Sequence, residues 1–106
     1  MEFLFVYGTA ADADEARRIG KILVEERLAA CVNILPRMES WYWWEGKLDH
    51  ADEAVLIAKT RSYLREALQR RFLELHQYDC PCLVFLPLQG GNPDFLAWID
   101  RETRHA

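Results

Sequence analysis

Cys80-Pro81-Cys82 is the stretch whose residue types most directly suggest chemistry, with His76 four residues before it and Tyr78 in between. On an extended backbone, side chains two residues apart point to the same side. Two thiols so placed, with an imidazole nearby, form a soft donor set suited to copper(I) or zinc. His76, Cys82 and Cys80 are therefore the candidate metal ligands. The spacing is CxC rather than a paired CxxC, and three protein ligands leave a metal site open. The competing reading is a buried cysteine entering a strand, since free cysteine is among the most buried residue types.

Lys59 stands in the apolar run VLIAKT. A lysine there needs a partner or an exit to water. It either marks the end of a strand or lines a pocket for a small anionic ligand, with Tyr42, Trp44, Tyr78 and Trp98 as aromatic walls bearing polar tips. The other candidates read more plainly. Cys31 is a small side chain at the apolar entry of a strand, and His105 lies near the terminus. His50 sits among Asp49, Asp52 and Glu53, which read as a solvated turn because the liganding loop pattern of a calcium site is absent. There is no GxSxG and no cysteine protease signature, and Gly90-Gly91 lacks the Lys-Ser/Thr partner of a phosphate loop. The expectation is a protein that is not an enzyme; acid–base work by Lys59 and His76 ranks third among the readings.

These residues must be positioned by a short series of alternating elements. EFLFVYGT (2–9) predicts a strand. Asp12 opens a helix, with Glu15 three residues on as an acidic capping box and Ala16, Ile19, Gly20, Leu23, Val24 and Leu28 at helical spacing. Residues 30–44 read as a strand broken near Pro36, and 47–60 as the strand that returns after a turn at Glu45-Gly46-Lys47. A second helix spans 62–76, CLVFLPL (82–88) is a fourth strand, and Asn92-Pro93-Asp94 starts a terminal helix with a capping residue followed by proline. The order βαββαβ plus a C-terminal helix predicts an α+β fold, the ferredoxin-like plait with a long β2–β3 hairpin, over residues 1–106 as a single domain.

The strands carry apolar residues on both sides: Phe3, Phe5 and Tyr7 against Leu4 and Val6, and Val84, Leu86 and Leu88 against Leu83 and Phe85. Two helices bury one face of a sheet only, so the other face predicts self-association. The whole chain has 106 residues, 51% of them hydrophobic, with a net charge of -4. That is enough for one core, and the acidic balance argues against a nucleic-acid partner. The apolar run at the N-terminus is too short for a signal peptide, and no stretch reaches the roughly 20 residues that span a bilayer. Three cysteines at no disulfide-framework spacing then read as reduced thiols in a cytoplasmic protein.

ERLAACVNILP (26–36), SWYWWEGKL (40–48), LIAKT (56–60), LHQYDCP (75–81) and GNPDFLAWI (91–99) together resemble the CutA divalent-cation tolerance proteins. The resemblance implies an intertwined homotrimer whose hairpin strands pair between subunits, similar to the nitrogen-regulatory signal proteins. It further implies tolerance of divalent cations, copper above all, with metal or a small molecule held near inter-subunit clefts. The alternative it leaves open is a trimeric small-molecule-sensing signalling protein. This chain departs from the family at informative positions. Gly8 stands where some relatives carry a proposed copper-ligating cysteine, Gln77 replaces the proline of HPY, and Cys82 replaces the acid after the later proline. His76 matches the family's histidine, so Cys82, assisted by Cys80, is the softer substitute that the resemblance leaves for copper(I).

Overall fold

The computed structural model describes residues 2–77 and 79–105. Its elements are β1 (Phe3–Ala10), α1 (Ala13–Glu25), β2 (Cys31–Trp44), β3 (Lys47–Arg61), a 3-10 turn (Ser62–Leu64) leading into α2 (Arg65–Leu75), β4 (Leu83–Pro87) and α3 (Pro93–Glu102). The fold is α+β: one four-stranded antiparallel sheet in the order β2-β3-β1-β4, with three helices. No helix among the described residues is long and apolar enough to cross a membrane.

Local chemistry explains the element ends. The Asp12 carboxylate accepts from the Glu15 N–H at 2.8 Å, and Glu15 Oε1 reaches back to the Ala11 N–H at 2.8 Å. This satisfies orphan amides at the start of α1 from both sides. Asn92 caps α3 in the same way, through Asp94 N–H, with Pro93 in the first turn. The second helix, expected from Ser62, is α-helical only from Arg65 because the chain leaves β3 through a 3-10 turn.

The core lies between the sheet and α1 and α2. Val6, Leu56 and Ala58 meet Ile19, Leu23, Leu68 and Phe72, all essentially removed from water. Each large side chain so buried stabilises the fold by roughly 1.5–3 kcal/mol. Helix α1 approaches the sheet closely at Gly20, where an added Cβ would stand 2.9 Å from Val32 Cγ2. Arg71 on α2 donates from Nε and Nη2 to Glu26 just after α1, bracing the helix pair.

The long hairpin is present. Residues 54–61 of β3 pair with β1, whereas 47–53 pair with β2 alone, so a two-stranded ribbon leaves the body of the sheet and stretches the molecule to 44 × 25 × 22 Å. Glu45 (φ 50°) and Gly46 (φ 79°) close it with two successive left-handed residues, the geometry that matches strand twist. The irregularity expected at Pro36 lies between Leu35 and Met38, because proline has no N–H to give the ladder.

The helix-free side of the sheet is largely apolar. The register places Phe3, Phe5 and Tyr7 of β1 beside Ile57 of β3 and beside Val84 and Leu86 of β4, which are 50% and 49% exposed. Polar groups break this surface at Lys59 and Asn33, which hydrogen-bond to each other, and at Arg61, which pairs with Asp100. Asp100 belongs to α3, so the terminal helix shields the Arg61 end of this face and leaves Val84 and Leu86 open.

Candidate functional site

On the helix-free side, a cavity of about 650 Å³ lies between the ribbon and the segment that leads into β4. Its ribbon wall follows from strand alternation. Tyr42 and Trp44 share a face with Asp49, the cross-strand partner of Tyr42, and with Ala51 and Glu53, and all five line the cavity. Asp79, Cys80 and Cys82 form the opposite wall, and Tyr7, Thr9 and Met38 contribute to its lining. The Tyr7 hydroxyl donates to Met38 Sδ at 3.3 Å.

Several bonds hold the Cys80–Cys82 segment in place. Thr9 N–H donates to the Cys82 carbonyl at 3.2 Å, and Gln77 N–H donates to Glu15 Oε2 at 3.2 Å. His76 Nε2 lies 2.6 Å from the Thr9 carbonyl, which only accepts, so this nitrogen is the donor. The same ring packs on Phe72 at 5.0 Å between centroids. Glu15 and His76 thus connect the start of α1, the end of α2 and the end of β1 to the loop that carries the thiols.

Cys82 has a perturbed thiol. Burial within the cavity wall raises its pKa above the ordinary cysteine value, and the negative charge of Glu53 pushes the same way, against a hydrogen bond with the Thr9 side chain. Cys31, Cys80 and Cys82 are all unpaired.

The candidate residues separate in space. Tyr42, Trp44, Cys80 and Cys82 share this cavity, whereas Lys59, Trp98 and His76 are not among the residues lining it. Lys59 lies across from Phe5 and Cys31 in the sheet and donates to Asn33 Oδ1. Trp98 is on α3, stacked on Phe95 at 5.6 Å. At Lys59, β3 pairs with both β1 and β2, so this residue lies in the body of the sheet rather than on the ribbon. Tyr78 lies outside the described residues. Among those described, no three His, Cys, Asp or Glu residues converge as a metal-binding group within one subunit.

Asp79 and Met38 carry no signal in the sequence, and Asp49 and Glu53 read there only as part of a solvated turn around His50. The signal for Asp49 and Glu53 was alternation: in LDHADE (48–53), they fall on one face with Ala51, while His50 and Asp52 fall on the other. His50 there stacks on Trp41 at 4.6 Å and Asp52 pairs with Arg37 at 3.0 Å, so the apparent histidine–acid cluster is divided between faces.

These features define a small α+β protein that presents an acidic, thiol-bearing cavity beside a projecting hairpin. A family described as CutA1 divalent ion tolerance protein matches residues 4–102. The chain belongs to that family. It is 45% identical over 99 residues to the divalent-cation tolerance protein CutA of Archaeoglobus fulgidus, covering 93% of this chain and 96% of the relative. It is 42% identical over 103 residues to the chloroplastic Protein CutA 1 of Oryza sativa subsp. japonica, covering 97% of this chain but spanning only 58% of that relative's length. The crystal structure of CutA1 from Oryza sativa superposes with a TM-score of 0.97 at 40% identity, covering 100% of this chain and 97% of that one. The structure of the divalent cation tolerance protein from Thermus thermophilus gives a TM-score of 0.93 at 40% identity, covering 96% of this chain and 99% of that one.

Proposed function

We propose that this chain is a non-enzymatic divalent-cation tolerance protein that acts as a homotrimer and holds copper or another divalent ion weakly in the cavity beside its hairpin. One observation carries the reading. The cavity is lined by Asp49, Glu53 and Asp79 and by the thiols of Cys80 and Cys82, with no Lys, Arg or His among its described lining residues. Such a concave acidic surface concentrates cations, and carboxylates and thiols between them suit hard and soft metals. Weak binding follows from the incomplete donor set of one subunit. His76 supports the wall through Thr9 rather than acting as a ligand from Nε2.

The assembly part of the reading rests on exposed apolar surface. Trp41 and Trp43 on the ribbon are 61% and 74% exposed, and an isolated two-stranded ribbon is marginal in water. Wrapping three such ribbons around one another buries these rings and the open face carrying Val84 and Leu86. The strand order β2-β3-β1-β4 supports the ferredoxin-like plait as the repeating unit. Three unpaired thiols fit a reducing compartment such as the cytoplasm. A small anion is not proposed as the cavity's ligand, because its charged lining residues are all acids.

The test is calorimetry with copper(II) and zinc(II) on the wild type and on Glu53→Gln and Asp49→Asn. Each substitution is expected to weaken binding at least tenfold. Equal affinities in all three proteins would remove the cavity from consideration.

A further inference from the structure

We propose that Cys80 and Cys82 form a two-thiol clip for a soft monovalent cation of the copper(I) and silver(I) type, a second mode of binding in this cavity distinct from the capture of divalent ions by its carboxylates. The inference deepens the metal-tolerance reading above and rests on it. Both thiols line the same cavity and are unpaired, and only Pro81 separates them. Proline restricts the backbone between them, so the pair is held with little conformational freedom left to lose. A third sulfur, the Met38 thioether, lines the same cavity. Soft sulfur donors select copper(I), whereas carboxylates favour harder divalent ions.

The coordination demand agrees with the number of donors present. A divalent transition metal takes four or more ligands, and no three classical donors converge among the described residues. Closed-shell monovalent ions of this group are satisfied by two thiolates. Cys80 and Cys82 therefore supply the number of donors such an ion needs, where the described lining residues converge in a smaller number than zinc needs. The segment is also anchored before any ion arrives, through Thr9 N–H to the Cys82 carbonyl and Gln77 N–H to Glu15. Binding exchanges S–H bonds for S–metal bonds, with one proton released per thiol and no change in oxidation state.

Silver(I), which does not change oxidation state under these conditions, is the probe, followed by copper(I) under anaerobic conditions in competition with a chromogenic chelator. The wild type, Cys80→Ser, Cys82→Ser and Cys31→Ser are compared by affinity, stoichiometry and the ultraviolet thiolate-to-metal band. One ion per chain is expected. Either Cys80→Ser or Cys82→Ser should weaken binding at least 100-fold and abolish the band, while Cys31→Ser stays within tenfold of wild type. Both clip residues lie outside the strands and helices, and circular dichroism checks that the variants fold. Alkylating the two thiols of the folded wild type should produce the same loss. Retention of silver within tenfold in either clip variant, or stoichiometry that follows Cys31, overturns the proposal. A loss of silver binding in the clip variants that exceeds their loss of zinc binding by tenfold or more separates the two modes, and equal losses overturn the clip as a distinct mode. If silver binds while divalent ions fail in every protein, the divalent reading falls and the clip stands.

Discussion

Cys82 shows how strongly position governs a single side chain. It follows a proline and immediately precedes β4, and its sulfur is desolvated beside Glu53, so its thiolate forms at higher pH than an ordinary cysteine's. Thiolate is the nucleophile, so Cys82 should react with iodoacetamide more slowly than a cysteine peptide at neutral pH. Its rate should keep rising beyond the pH at which the peptide levels off. Mass spectrometry of the Cys82 peptide over a pH series measures this, and a plateau at or below the free-cysteine value would count against the assigned environment. Gly20 offers a second check. A methyl group there meets Val32 Cγ2 at 2.9 Å, where a β-branched side chain has little room to move. Gly20→Ala is expected to destabilise the fold by about 1–3 kcal/mol in urea unfolding, despite the better helix propensity of alanine.

Among the elements, α1 and the hairpin were the most legible. The Asp12 and Glu15 spacing announced a reciprocal cap, and both bonds are present. Asp12→Ala should cost about 1 kcal/mol, and Asp12→Asn much less, since asparagine also accepts from the helix amides. Chemical denaturation of the two variants decides it. Pro36 announced the bulge because its missing N–H is a local property. What local reading could not supply was the consequence of that bulge: it resets the pairing from Leu35–Val55 to Met38–Glu53 and so determines which acids face the cavity. The 3-10 start before α2 was likewise hidden, because the pattern Leu64, Leu68, Phe72 satisfies helical spacing whichever way the first turn is wound.

For the whole molecule, the dominant feature is apolar surface left without cover. Trp43, Val84 and Leu86 are about half exposed or more, and α3 shields only the end of the open face near Arg61. The proposed trimer is expected to sediment at three times the 12.4 kDa chain mass at micromolar concentration. Val84→Lys combined with Leu86→Lys should break it, since neighbouring buried ammonium groups without partners are costly. A wild-type protein that sediments as a single 12.4 kDa chain would end this account of the exposed ribbon.

Residue order alone settled the α+β class, the hairpin, the helix caps, the apolar character of both sheet faces and the family resemblance, because each depends on periodicity or on neighbours a few positions apart. It also singled out Cys80, Cys82, Tyr42 and Trp44, which lie together. Tertiary structure decided which distant residues join them. Within one subunit Lys59 lies apart from them, flanked by β1 and β2 in the sheet, as does Trp98, which stacks on Phe95 within α3. Asp49, Glu53 and Met38 enter because strand register, a non-local property shifted by one bulge, turns them toward the thiols.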